Sequence, residues 1–191
     1  PEGEDLRIIK AATICTQYKI ANCVLLGKTR VIQKLAKDHN IEMCKKIKIV
    51  DPDKVREKYV EPMVELRRSR HLSKEMAMEK LKDNIYLGTM MLHLGDVDGL
   101  VAGVQHTTAN TVRPAFQLIK TAQSANFISS VFLMCFPEQV LVFSDCAVYP
   151  KPNVDELAEI AIHSADTARF FGIEPKVAMI SYSTGESGQG S

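Results

Sequence analysis

His106, Thr107, Thr108, Asn110, Thr111 and Arg113 stand together between Gly103 and Pro114. Most of these side chains donate hydrogen bonds, and a guanidinium adds a permanent positive charge. The set suits an oxyanion or a phosphate. Arg113 directly precedes Pro114; the residue before a proline is pushed out of helical geometry, while proline itself suits the first helical turn. The spacing therefore predicts a helix that begins at Pro114 and runs through Ala115 to Ile119, with Arg113 at its mouth. Free backbone N–H groups and the macrodipole favour an anion there. The apolar run Leu100-Val101-Ala102 reads as a buried strand feeding this loop, and ligands of open α/β sheets bind where strands end at their carboxyl edge. Polar loops of this kind also serve simply to cap helices, so the residues by themselves leave an anion site and an ordinary cap as alternatives.

The elements that must position this loop can be read from periodicity. Glu4 to Tyr18 is expected to be helical, with Leu6, Ile9, Ala12 and Cys15 near helical spacing and Asp5 in the first turn. Asn22 to Leu26 is a short buried strand closed by Gly27. Thr29 to His39 is a second helix, and Ile47 to Val50 a second strand ended by Asp51-Pro52. Helix, strand, helix, strand points to a parallel, doubly wound α/β sheet. Asp53 to Arg70 is charge-rich and reads as a helix that would place Arg67 and His71 on one side, with Arg70 beside them. Such a charge run is usually a solvated face. Ser73 is a natural N-cap, Met76, Met78 and Leu81 read as core, and Ile85 to Leu94 as a further helix with a packed His93. Asp96 and Asp98 read as turn residues.

Ala122 to Asn126 is a candidate boundary, giving domains over 1–123 and 124–191. Beyond it, Ile128 to Phe136 and Val140 to Phe143 flank Pro137-Glu138-Gln139 and predict an antiparallel hairpin. Asn153 with Glu156 three residues on resembles a capping box, and Gly172 is the expected helix stop. His163 and Asp166 are three apart on that helix, where a surface hydrogen bond is the simpler role than acid–base chemistry. Lys176 to Ile180 reads as a buried strand. The tail from Ser181 is rich in glycine and serine.

The chain has 191 residues, 46% hydrophobic and 25% charged, with a formal net charge of +1. No global field therefore singles out nucleic acid or a membrane surface, and no apolar run approaches the roughly 18 residues of a membrane span. The five cysteines include no CxxC pair, which fits reduced thiols of a cytoplasmic protein. No GxGxxG follows a strand, which argues against a dinucleotide-binding oxidoreductase.

The motifs, in their order, resemble the phosphate acetyltransferases, or phosphotransacetylases. They are Pro1-Glu-Gly-Glu-Asp-Leu-Arg7, Ala21-Asn-Cys-Val-Leu-Leu-Gly27, Gly88-Thr-Met-Met91, His106-Thr-Thr-Ala-Asn-Thr-Val-Arg-Pro114, Ser144-Asp-Cys-Ala-Val148, Ile160-Ala-Ile-His-Ser-Ala-Asp-Thr-Ala168 and Ser181-Tyr-Ser-Thr-Gly185. The resemblance implies two α/β domains with a substrate cleft between them, the second incomplete here. It implies reversible acetyl transfer between acetyl phosphate and coenzyme A, in a cytoplasmic homodimer of acetate metabolism. No metal or prosthetic group would be needed, coenzyme A and acetyl-CoA being substrates. Arg113 would hold the departing phosphate as the catalytic residue. Arg67, in Glu65-Leu-Arg67, would contact anionic substrate groups, and His106, Thr107, Thr108, Asn110, Ser183 and Thr184 would bind substrate. Family members continue further and carry a late serine-arginine pair and an aspartate base, so the sequence is expected to be truncated before that motif and inactive alone. Two related roles share the fold: a regulatory acetyl-CoA-binding domain without catalysis, which typically diverges in the His106–Arg113 segment that is intact here, and a phosphate butyryltransferase.

Overall fold

Leu25 and Leu26 point to opposite sides of a short parallel strand pair, and this alternation, which the two-residue period of a strand imposes, organises two hydrophobic clusters. A computed structural model describes residues 1–122 and 125–180, and the chain divides into two compact units, Pro1–Lys120 and Thr121–Ser191. In the first unit, α1 (Leu6–Gln17) leads to β1 (Val24–Leu26), α2 (Thr29–Asp38) and β2 (Lys48–Val50), with Leu25 opposite Ile49 in parallel register. Ile9 and Ala12 of α1, Ile32 and Ala36 of α2, Leu25 and Ile47 form one cluster. Asp5 caps α1 by accepting from the Arg7 N–H.

The other side of β1 is covered by helices. These are α3 (Pro52–Val55), a 3-10 turn at Arg56–Tyr59, α4 (Val60–Leu66), a second 3-10 turn at Arg68–Arg70, α5 (Lys74–Lys80), α6 (Asn84–His93) and α7 (Thr108–Leu118). α6 is the centre of this layer: every residue from Ile85 to Met91 is buried, as expected for a helix apolar on all sides. Leu26, Met63, Leu81, Leu87, Met90 and Leu118 pack together there.

Six expectations are corrected in this unit, two of them single residues: Met76, read as core, is 54% exposed, and His93, read as packed, is exposed. Residues 53–70 are not one helix. Tyr59 OH donates to Asp96 at 2.7 Å and Lys58 Nζ lies 2.8 Å from the same carboxylate, and these long-range bonds accompany a tighter 3-10 turn. The helical spacing of Arg67 and His71 does not exist either, because α4 ends at Leu66 and His71 adopts a left-handed conformation with φ 52°. Leu100–Ala102 is not a buried strand: no strand pairs with it among the described residues, and Val101 is 84% exposed. Leu100 is instead held against α6, so closely that a Cβ on Gly88 would lie 2.9 Å from it. Finally, α7 starts at Thr108, with Pro114 inside it.

In the second unit, β3 (Val131–Cys135) and β4 (Val140–Ser144) form the expected antiparallel hairpin, with Leu133 opposite Val142. α8 (Val154–Phe170) begins with the full Asn153–Glu156 capping box. It ends at Gly172 with φ 75°, where the Gly172 and Ile173 N–H groups return to Arg169 and Ala168, the paired bonds of a Schellman stop. Asp145 orders the segment after β4 by accepting from the Ser130 and Val148 N–H groups. Lys176–Ile180 carries no strand and is largely exposed, against expectation: it finds no pairing partner among the described residues.

Leu87→Ala should destabilise the chain by about 2–5 kcal/mol, the cost of a cavity in a close-packed site, whereas Val101→Ala should change stability by less than about 0.5 kcal/mol. Urea denaturation measures both. A loss at Val101 as large as that at Leu87 would restore the buried strand.

Candidate active site

The polar loop before α7 is held by a carboxylate from the other end of the unit. Glu2, whose side chain is 1% exposed, accepts from the N–H groups of Gly103 (3.0 Å), Val104 (3.1 Å) and Gln105 (2.7 Å), and its Oε1 lies 2.7 Å from Nδ1 of His106. Burial pushes the Glu2 carboxyl upward, but the bonds from His106 and the three backbone groups outweigh it and hold the pKa at about 2. Around this core, Gln105 Nε2 donates to Asp5 at 3.0 Å, and Arg7 pairs with Asp5 at 2.8 Å while also donating to the Val104 carbonyl. The backbone N–H groups of Gly103, Val104 and Gln105 and the Nδ1 of His106 are thus engaged by one of the protein's own anions.

Fixing the loop sets where α7 begins. Thr107 is its N-cap, accepting from the Asn110 N–H at 3.3 Å, and Thr111 Oγ1 donates back to the Thr107 carbonyl at 3.0 Å. Arg113 therefore lies not at the helix mouth but six positions past the cap, about 9 Å along the axis at 1.5 Å per residue. The preference of a pre-proline residue for extended backbone is a local bias, and the helix begun at the Thr107 cap runs through it. Pro114 is buried, and lacking an N–H it cannot bond the Asn110 carbonyl. Arg113 is exposed and forms no ion pair among the described residues.

Asn110, Arg113 and Gln117 follow one another at helical spacing along a stripe of α7. The carboxyl end of that stripe is anchored by Arg67, the half-buried C-cap residue of α4, which donates from Nη1 to the Gln117 carbonyl at 3.0 Å. A cation there also complements the helix dipole. Tyr86 OH meets Oε1 of Gln117 at 3.0 Å. The structure thus brings Arg67 to the helix that carries Arg113, one turn beyond it.

A cavity of about 460 Å³ opens at the carboxyl ends of β1 and β2, within the size range of ligand pockets. His106 and Gln105 line it together with Lys28, Arg56 and Lys82, and it also carries Glu4, Asp53 and Asp83. Several of these charges are already engaged: Arg56 pairs with Asp53 at 2.9 Å, Lys82 with Glu79, and Glu4 accepts from the Lys28 N–H at 2.7 Å. At Gly27 a Cβ would lie 2.8 Å from the Glu4 side chain, so this close approach needs glycine. Of the sequence-predicted site residues, His106 faces this cavity, whereas Thr107, Thr108, Asn110 and Arg113 belong to α7 and its cap. Ser183 and Thr184 lie outside the described residues.

Glu2, Gln105, Tyr86 and Gln117 were not singled out by sequence reasoning. Their partners lie 31 to 104 positions away, and nothing local marks them. In the second unit Asp166 pairs with Arg169 at 2.7 Å and His163 approaches Glu159 at 3.6 Å, so the His163–Asp166 pairing does not form. Among the described residues no group of three His, Cys, Asp or Glu could hold a metal, and no helix is long and apolar enough to cross a membrane.

The whole chain, residues 1–191, matches the family described as "Phosphate acetyl/butaryl transferase". The chain belongs to this family. It is 56% identical over 191 residues to the phosphate acetyltransferase of Salmonella typhimurium and 55% identical to that of Escherichia coli, covering all of this chain and 27% of each relative. It therefore spans about a quarter of the length of those curated relatives. The EutD phosphotransacetylase from Staphylococcus aureus superimposes with a TM-score of 0.86 at 38% identity, over all of this chain and 58% of that one. The α/β fold is thus that of phosphotransacetylases, and the Glu2 clamp and the α7 stripe lie in a member of this family.

The depressed pKa of Glu2 makes a stability prediction for this family member. A carboxyl at about 2 when folded and near 4.5 when unfolded stabilises fully above pH 4.5, and that contribution is lost as pH falls toward 2. Wild type should exceed Glu2→Gln in urea stability by a margin that shrinks by on the order of 3 kcal/mol between pH 6 and pH 2. A pH-independent margin would contradict the clamp.

Proposed function

We propose that the intact protein carrying this chain is a phosphate acetyltransferase that moves an acetyl group reversibly between acetyl phosphate and coenzyme A. The observation that carries this reading is 55–56% identity to phosphate acetyltransferases over the entire chain. The family description spans acetyl and butyryl transfer, but those relatives are acetyltransferases, which favours the shorter acyl group. The complete His106–Pro114 segment, capped and helical, favours an enzyme over a regulatory acetyl-CoA-binding domain.

In the proposed reaction the coenzyme A thiol, with a pKa of about 8.5, loses its proton to a base and attacks the acetyl carbonyl. The carbonyl carbon–oxygen bond to phosphate then breaks, and phosphate leaves with increased negative charge. The base is an aspartate of the family's late motif, outside this chain. Arg113, exposed on α7 and without an ion pair among the described residues, stabilises the departing phosphate, the electrostatic contribution that is commonly the largest in catalysis. Arg67 supports that helix and offers the rest of its N–H fork to anionic substrate groups. Thr107, Thr108 and Asn110 contribute hydrogen bonds to phosphate or to the acetyl carbonyl, and His106 binds substrate; the family resemblance gives Ser183 and Thr184 a substrate-binding role as well. The reaction needs no metal or prosthetic group, and the protein is a cytoplasmic homodimer of acetate metabolism.

Thioester formation by the intact protein tests the reading: acetyl phosphate should be used in preference to butyryl phosphate, and no acetyl-CoA formation at all would reject it. Arg113→Ala should lower kcat/KM by about 10²-fold or more, with near-wild-type kinetics rejecting its assignment. Residues 1–191 alone should form no acetyl-CoA, and robust turnover by them would reject the placement of the base.

A further inference from the structure

His106 is attached to the cavity and to the Glu2 clamp at once, and the chemistry of that attachment is one-sided. An ionised carboxylate only accepts hydrogen bonds. Glu2 is almost wholly excluded from water and already accepts from three backbone N–H groups, so the ring nitrogen 2.7 Å from its Oε1 must be the one bearing hydrogen. That nitrogen is Nδ1. The opposite edge of the ring carries Nε2, which has no hydrogen-bond partner among the described residues. The His106 side chain remains 30% exposed and lines the 460 Å³ cavity at the strand ends. The next residue, Thr107, caps α7.

We propose that Glu2 is a positioning residue that acts through His106, keeping the imidazole proton on Nδ1 and presenting Nε2 to substrate in the cavity. The part concerning substrate rests on the acetyl-transfer reading above. The tautomer of a histidine is set by the bond its other nitrogen makes, and a buried carboxylate leaves no choice. An amide in its place does: the Gln oxygen can still accept from the Gly103 and Val104 N–H groups, while its NH₂, set where Oε1 was, donates to Nδ1 and releases the other tautomer at the loss of the Gln105 bond.

Two measurements test this together. Nitrogen-15 spectra of the histidine rings in the chain, at a pH where His106 is neutral, should show Nδ1 protonated and Nε2 unprotonated in wild type, and loss of that single tautomer in Glu2→Gln. A wild-type ring protonated on Nε2, or a spectrum unchanged in Glu2→Gln, overturns the proposal. The wild-type spectrum decides even where the variant fails to fold. In the intact protein, Glu2→Gln should lower kcat/KM for acetyl-CoA formation about tenfold, and by less than about twofold in a His106→Gln background, because residues acting as a unit are not additive. Equal losses in both backgrounds would make Glu2 merely structural and overturn its action through His106. If wild type forms no acetyl-CoA, the acetyl-transfer reading fails, and the tautomer still decides the link between Glu2 and His106.

Discussion

A carboxylate taken out of water is costly unless its lone pairs are met by donors. Glu2 meets that condition with three consecutive backbone N–H groups and one imidazole. The placement of the loop before α7 follows from it. Gly103 to His106 cannot move independently of the segment before α1, and Thr107 comes directly after the clamp as the cap of α7. The helix that carries Arg113 therefore starts at Thr107, directly after a loop held by a residue more than a hundred positions earlier in the chain, and not at the proline that follows Arg113.

α7 is held at both ends by different means. Its amino end is capped by Thr107, and its carboxyl end is met by the Arg67 guanidinium and the Tyr86 hydroxyl. Between them lies a stripe with Asn110 and Arg113. A guanidinium presented from a helix fixed at both ends is better defined than one on a free loop, because the supporting groups limit where it can go. The cost is a proline inside the helix. Its ring is buried, and the helix continues past it to Leu118.

What was legible in the sequence is what local rules control. The capping box at Asn153 and the glycine stop at Gly172 are complete within a few residues, and both formed as expected. The β1–α2–β2 alternation and the Pro137–Gln139 hairpin were likewise readable from periodicity and turn residues. The failures share a cause. Leu100–Ala102 has the composition of a strand, but strand preference depends on a neighbour to pair with. The break at Arg56–Tyr59 accompanies bonds to Asp96, and the start of α7 accompanies bonds to Glu2. No window of sequence contains both partners of any of these. The same is true of the site: the residue types near His106 were visible, but the carboxylate that orients them was not.

A crystal structure of the intact protein grown with acetyl phosphate measures the role of Arg113 most directly. If Arg113 holds the phosphoryl group, its guanidinium will lie within about 3 Å of a phosphoryl oxygen, the distance of a charge-assisted hydrogen bond. Acetyl phosphate bound while the Arg113 guanidinium stays in solvent, touching no part of it, would contradict that role.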